Sequence, residues 1–216
     1  MIFSKVLAEI SSPLHGTIYV RERFGRKEIV TRDSSGNEFS QSGPLVAQIW
    51  SSVLKDQVSS YARPNILIMG LGGGTLVDMI ATYRASSKID VVEIDPCMLS
   101  IATQYFDFNS LEATVYVDSA ETFVQFPKEG AYDLICVDLY CHSAVPKFTE
   151  GDEWLREVGR ILRPNGKAIF NRLAFNGFRE PSELFLNKVK TVFTDIEVVK
   201  KPSPFFASNM LIVCSC

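Results

Sequence analysis

A mostly parallel α/β sheet, covered by helices on both faces and closed by an antiparallel strand pair, is what the sequence predicts, and three observations carry the expectation. From Pro64 onward, short apolar runs alternate with helix-length segments, the pattern of repeated strand–helix units. Within YDLICVDLY the run LICV is continuously apolar, as in a strand buried on both sides. The chain closes on DIEVVKK, a PSP turn and NMLIVCSC, which read as a terminal pair of strands.

Taken in order, residues 1–40 form a small N-terminal β segment. GTIYVRERF and RKEIVTR are β-rich, Gly25 separates them, and the turn-forming DSSGN closes them. Residues 41–216 form the larger unit. From Gln41 to Tyr61, Leu45, Ile49, Val53 and Leu54 recur on one helical face. NILIMG is the first strand of the alternating region, followed by the helix VDMIATYRA, and KIDVVEID is the second. PCMLSIATQYF is a helix with Pro96 at its start, where proline is tolerated. ATVYV, the helix SAETFVQF and the strand YDLICVDLY come next. TEGDEWLREVGRIL is an amphipathic helix stopped by RPNG, KAIFNRL is a fifth strand, and EPSELFLNKVKTVF is another helix.

The totals exclude several functions. The 216 residues suit one domain with a substantial core. A net charge of -3 leaves no global basic field for nucleic acid or an anionic membrane, so neither partner is expected. ILIM and LICV are far too short to cross a bilayer, and MIFSKVLAEI lacks the pattern of a secretory leader. Five cysteines, an odd number with Cys136 in an apolar strand, fit reduced thiols and a cytoplasmic location.

In sheets of this kind ligands sit beyond the carboxyl ends of the strands, where strand order reverses. That rule selects four places. The first is Gly70-Leu71-Gly72-Gly73-Gly74-Thr75, where glycines allow close backbone approach and a helix start offers free N–H groups. A tight connection would explain some of these glycines; four in five positions exceed that need. The second is Glu93-Ile94-Asp95, 23 residues beyond Gly70 by subtraction, placed to accept hydrogen bonds from ribose hydroxyls. Glu93 reads as a ligand residue, and Asp95 equally as ligand or as the cap of the next helix. The third is Asp118-Ser119-Ala120, suited to an adenine edge, or equally to a helix cap. The fourth is Asp138-Leu139-Tyr140: if strands one and four are neighbours, Asp138 faces the glycine turn and can attract a sulfonium or an amine. A nicotinamide dinucleotide accounts for the first two places, but Thr75 stands where its fingerprint wants a third small residue, and the closing strand pair is unusual for that fold.

GLGGGT, VVEIDP, VDSAETF, YDLICVDLY and SAVPKFTEGDEWLREVGRILRPNGKAIFN resemble the spermidine synthase-like family of the class I methyltransferase superfamily. The resemblance implies a Rossmann-like sheet of seven strands with a small N-terminal β extension. It implies binding of S-adenosylmethionine, or of its decarboxylated form or methylthioadenosine. By it, Gly70, Gly72, Gly73 and Gly74 hold the cofactor tail, Glu93 the ribose, and Asp118, Ser119 and Ala120 the adenine, with Gln41 matching a cofactor-site glutamine; Asp95 and Asp138 are further cofactor-binding candidates. Asp138 and Tyr140 are the catalytic candidates, orienting the acceptor, with Tyr140 able to relay a proton. It also implies a homodimer through the N-terminal region.

Three departures from the aminopropyltransferase pattern fall on the chemistry. The acid of GGGDGG is replaced at Gly73 or its neighbour, Cys141 stands where a second acid follows Asp138, and Ala47, Gln48 and Ile49 replace a Tyr–His/Gln–Glu set. Methyl transfer to a small acceptor, an amine among the candidates, is therefore the preferred expectation. The alternatives are aminopropyl transfer, a non-catalytic nucleoside-binding role and a NAD-dependent oxidoreductase. No metal is expected, since no CxxC or HxxxH spacing occurs. Cys141-His142 reads as pocket wall rather than a nucleophile–base pair. Trp50 and Trp154 read as core, and Glu150, Asp152 and Glu153 as favourable charges at a helix start.

Overall fold

The structure is a computed structural model that describes residues 4–174, 178–202 and 208–216. The chain builds two sheets. The first is a four-stranded antiparallel meander, β1 (Ser4–Ser12), β2 (Gly16–Arg23), β3 (Arg26–Arg32) and β4 (Glu38–Ser42), in spatial order 1-2-3-4. β2 and β3 are the two runs expected from composition. β1 and β4 are additional, and the sheet extends to Ser42, so Gln41 lies in a strand rather than at the start of a helix. Helix α1 begins at Pro44 and ends at Ser59.

The second sheet contains β5 (Asn65–Met69), β6 (Lys88–Glu93), β7 (Thr114–Val117), β8 (Tyr132–Val137), β9 (Leu162–Leu173), β10 (Thr194–Pro202) and β11 (Ser208–Ser215). Their spatial order is β10-β11-β9-β8-β5-β6-β7, and β11 alone runs against its neighbours. These are the seven expected strands with the expected closing hairpin; its turn lies beyond Pro202, outside the described residues. Helices α2 (Thr75–Tyr83), α3 (Pro96–Tyr105), α4 (Ala120–Phe123), α5 (Asp152–Ile161) and α6 (Arg179–Val192) connect them. RPNG does stop α5, but inside the start of β9, where Asn165 takes φ 65° and the pairing with β8 slips between Tyr132 and Leu134.

Alternation along the strands divides the core. Ile66 and Ile68 of β5, with Leu134 and Cys136 of β8, face α1 and α2, where Trp50, Leu54, Leu76 and Ile80 meet them. Leu67 and Met69, with Ile135 and Val137, face α5 and α6, where Trp154, Leu155, Phe185 and Val189 pack. Both sides of β5 and β8 are thus covered, which is why their sequences are apolar without alternation. Ile18, Val20 and Ile29 of the small sheet pack on Met98 and Ile101 of α3. That contact fixes the meander above the carboxyl ends of β5 and β6. Among the described residues no helix is long and apolar enough to cross a membrane.

Candidate active site

Strand order reverses between β5 and β8, whose successors leave in opposite directions. There the Asp138 N–H donates to the Met69 carbonyl at 2.9 Å and the Gly70 N–H to the Val92 carbonyl at 2.8 Å. The ends of three strands are therefore pinned together around the glycine turn. A cavity of about 400 Å³ opens at this point, between the carboxyl ends of β5–β8 and the small sheet. It is large enough for a nucleoside-sized ligand.

The glycine turn is packed as tightly against protein as against the cavity. Gly70 has φ 98°, and a Cβ there would stand 2.3 Å from the Asp138 carbonyl oxygen. At Gly72, φ 52°, a Cβ would stand 2.2 Å from the Gln41 carbonyl oxygen. Gly73 and Gly74 are buried and stand outside the cavity lining. A Cβ on Gly73 would meet Ser42 Oγ at 2.4 Å, and one on Gly74 the Phe108 ring at 2.7 Å. All four glycines answer a packing need, contrary to the expectation from sequence that they exceed one. Close approach of β4, the β8 end and Phe108 demands each of them, and Gly70 and Gly72 alone also border the cavity.

Glu93 is buried at the end of β6 and borders the cavity. Its Oε2 accepts the Leu71 N–H at 2.9 Å and its Oε1 the Asp95 N–H at 2.8 Å. One carboxylate thus ties the glycine turn to the next strand end, and each oxygen keeps a lone pair for a ligand hydroxyl. Burial pushes its pKa up, against the two backbone donors.

Asp95 stands away from the cavity lining, wholly buried. It caps α3 through the Cys97 N–H at 2.8 Å, and its other oxygen accepts Ser12 Oγ at 2.5 Å and pairs with His15 Nδ1 at 2.8 Å. Burial pushes its pKa up, but these partners outweigh it and the net shift is downward. Of the two readings open for Asp95, the geometry gives the cap, and adds a link to the small sheet.

Asp118, Ser119 and Ala120 border the cavity at the end of β7. Asp118 Oδ1 accepts the Ser119 N–H at 2.7 Å, and Ser119 Oγ accepts the Glu121 N–H at 3.1 Å as the cap of α4. The cap and the pocket wall are the same residues. The Ala120 carbonyl is taken by Trp154 Nε1 at 3.1 Å.

Asp138 sits half-buried in a polar chain. Trp50 Nε1 donates to Oδ2 at 3.1 Å, Asn171 Nδ2 to Oδ1 at 2.8 Å, and Asn209 Nδ2 to Asn171 Oδ1 at 2.9 Å. Burial pushes the Asp138 carboxyl up, opposed by the Asn171 and Trp50 donors. Tyr140 borders the cavity too, but its hydroxyl donates to the Asn171 carbonyl at 2.9 Å and burial drives its pKa far upward. It offers an acceptor lone pair and a wall; the expectation of a proton relay finds no support in this geometry.

The Gln41 side chain reaches Thr31 Oγ1 at 3.3 Å and the His142 carbonyl at 3.4 Å, closing the cavity from the small sheet. Glu38, at the rim, is held by Arg21 and Arg32 and its pKa falls to about 2. Cys141 and His142 border the cavity within a tight turn, with Cys141 and Ala144 exchanging backbone bonds at 2.8 and 3.0 Å. Trp50 is core as expected, yet its indole N–H also positions Asp138. Sequence reasoning missed Asn171, Asn209 and His15. A lone asparagine inside KAIFNRL was the available signal for the first. No local pattern links His15 to Asp95.

Comparison with known proteins agrees with this architecture. A family profile described as "Methyltransferase domain" matches residues 66–166. A polyamine aminopropyltransferase of Prochlorococcus marinus (strain MIT 9215) is 25% identical over 215 residues, covering 91% of this chain and 75% of the relative. The human eEF1A lysine and N-terminal methyltransferase is 33% identical over 119 residues, 49% of this chain but 17% of that protein. The crystal structure of human methyltransferase-like protein 13 in complex with SAH superposes with TM-score 0.62 at 25% identity, covering 79% of each chain. Sheet order, glycine turn and these likenesses converge on a Rossmann-like methyltransferase fold, and the chain is similar both to polyamine aminopropyltransferases and to methyltransferases.

Proposed function

We propose that the chain is an S-adenosylmethionine-dependent transferase that moves a methyl group to a small acceptor. The related methyltransferases and aminopropyltransferases, and the SAH held by the structural neighbour, support the cofactor class. In this reading the backbone of Gly70–Gly72 holds the methionine tail. Glu93 accepts from the ribose hydroxyls with the lone pairs left after Leu71 and Asp95, and Asp118 accepts from the adenine amine. The observation that carries methyl over aminopropyl transfer is the packing at Gly73. The acid that would grip an aminopropyl amine has no room at Gly73, where Ser42 Oγ and the Phe106 ring edge would stand 2.4 and 3.1 Å from a Cβ, nor at its neighbours Gly72 and Gly74, where the Gln41 carbonyl oxygen and the Phe108 ring would stand 2.2 and 2.7 Å from one.

Chemically, methyl transfer asks mainly for alignment. The acceptor lone pair forms a bond to the methyl carbon while the methyl–sulfur bond breaks and its electron pair passes to sulfur. Holding the two partners in line removes much of the barrier. Asp138, fixed by Trp50 and Asn171, supplies negative charge beside the glycine turn, where the sulfonium or a cationic acceptor is favoured.

One observation keeps aminopropyl transfer as a second reading. Glu93, Asp118 and Asp138 border the cavity, and no lysine or arginine is among its described lining residues. Such walls also suit the more highly charged decarboxylated donor. Titration calorimetry with S-adenosylmethionine, its decarboxylated form and NAD separates the readings. Binding of the first at least tenfold tighter than the others, about 1.4 kcal/mol, is expected. Binding of the decarboxylated form alone would establish the second reading, and preference for NAD would discard both.

A further inference from the structure

His15 and His142, the only histidines of the chain, lie 127 positions apart by subtraction. The fold sets their rings edge to face, centroids 6.4 Å apart, on one wall of the cavity. His15 sits in the β1–β2 turn, buried, with its backbone N–H held by Ser12 Oγ at 3.0 Å. Ser12 Oγ in turn donates to Asp95. The turn is anchored twice more, by Cys97 Sγ to the Ser11 carbonyl at 3.9 Å and by Cys141 Sγ to the Leu14 carbonyl at 3.4 Å.

His15 Nδ1 faces the Asp95 carboxylate at 2.8 Å. The Asp95 carboxylate accepts, so Nδ1 carries a hydrogen, and in the neutral ring Nε2 is the nitrogen with the lone pair. Nε2 has no hydrogen-bond partner among the described residues, and His15 is one of the residues that border the cavity. A carboxylate that fixes the imidazole tautomer and stabilises the imidazolium is the arrangement a histidine base requires. A second feature of the same wall also calls for a ligand: His142 Nδ1 is buried without a partner among the described residues. Two further charged groups interact with this wall: Glu93 with His15, its two oxygens already holding backbone N–H groups, and Asp33 with His142.

We propose that His15, positioned by Asp95, is the base that takes the proton from the acceptor nucleophile. The proposal rests on the methyl-transfer reading of the cavity. It supplies a base that Asp138 and Tyr140, engaged with Trp50, Asn171 and its carbonyl, do not. The acceptor's proton passes to Nε2, its freed lone pair bonds the methyl carbon, and the methyl–sulfur pair remains on sulfur. The imidazolium stays paired with the Asp95 carboxylate until the proton leaves to water. Asp95 is the positioning residue.

The test measures methyl transfer from S-adenosylmethionine to putrescine and to a short lysine-containing peptide with a free N-terminus. His15→Gln is expected to lower kcat by about 10²- to 10⁴-fold while the Kd for S-adenosylmethionine stays within about twofold of wild type. Added imidazole should restore part of the rate in His15→Ala. Full kcat in His15→Gln overturns the proposal. In Asp95→Asn the amide donates to Nδ1 and moves the hydrogen to Nε2. Carbethoxylation of His15 by diethyl pyrocarbonate should then slow by roughly tenfold or more, with His142 as internal reference. That reaction needs neither cofactor nor acceptor. If wild type methylates neither probe, the reading of the site is at fault, while the reagent alone decides on the dyad. A His15 equally reactive in both proteins, or unreactive in the folded wild type, refutes it.

Discussion

Replacing Gly73 by alanine should destabilise the protein by about 2–3 kcal/mol. The backbone there is outside the left-handed region, so alanine brings no φ strain and restricts the unfolded chain, a gain of about 0.5 kcal/mol. Against it stand Ser42 Oγ at 2.4 Å, Ser42 Cβ at 3.0 Å and Phe106 Cδ1 at 3.1 Å. Ser42 is buried and its Oγ shares a hydrogen bond with Thr75 Oγ1 at 2.7 Å. Turning it aside forfeits about 1 kcal/mol, and overpacking the remainder costs about 1.5–2.5 kcal/mol, inside the usual range. For a chain of this length the net corresponds to a fall in Tm of roughly 4–12 °C, readable by circular dichroism. In a Ser42→Gly background two of the three obstacles vanish, and the cost of Gly73→Ala should shrink by about 1–2 kcal/mol. A Gly73→Ala protein as stable as wild type, or a Gly73→Asp protein that folds and binds decarboxylated S-adenosylmethionine, would refute the argument that this place excludes an acid.

Three further outcomes follow from the same geometry. Asp138→Ala leaves the Trp50 and Asn171 donors without their acceptor, and should cost about 2–4 kcal/mol in urea unfolding; a loss below about 0.5 kcal/mol would mean the network is not formed. Because burial raises the native Asp138 and Glu93 pKa values, the unfolded chain loses these protons first. The stability they contribute is present below the ordinary carboxyl range and declines as pH rises through the native values. Unfolding free energies between pH 4 and 8 should therefore fall less steeply for Asp138→Asn than for wild type; parallel slopes would contradict this. Glu38 is the opposite case: Arg21 and Arg32 lower its pKa to about 2, so its contribution persists above the ordinary carboxyl range and is lost as pH falls through that value. Carbon-detected NMR should place its midpoint near 2 and move it upward in Arg21→Gln; an unchanged midpoint would remove the pairing.

What the sequence made legible was governed by local chemistry. Continuous apolar runs such as LICV, set between helix-length segments, fit strands buried on both faces, and seven strands with a closing hairpin followed. Glu93, Asp118 and Asp138 were found because strand ends are where a parallel sheet exposes function, and all three border the cavity. Three things were hidden because they depend on distant segments. Gly73 and Gly74 look like ligand glycines until Ser42 and Phe108 are seen against them. The last two residues of β4 read as the start of a helix because Gln41-Ser42 carries no strand pattern, its partner being β3. The His15–Asp95 pair joins residues 80 apart by subtraction, and nothing near either position announces the other.

The central claim is that the cavity at the β5–β8 switch point takes an adenosyl-sulfonium or its thioether product. A crystal of the wild-type chain soaked with S-adenosylhomocysteine tests it most directly. Density for the nucleoside is expected between Glu93 and Asp118, with a ribose hydroxyl donating to Glu93 and the tail over Gly70–Gly72. An empty cavity, or a nucleoside bound with its ribose away from Glu93, would contradict it.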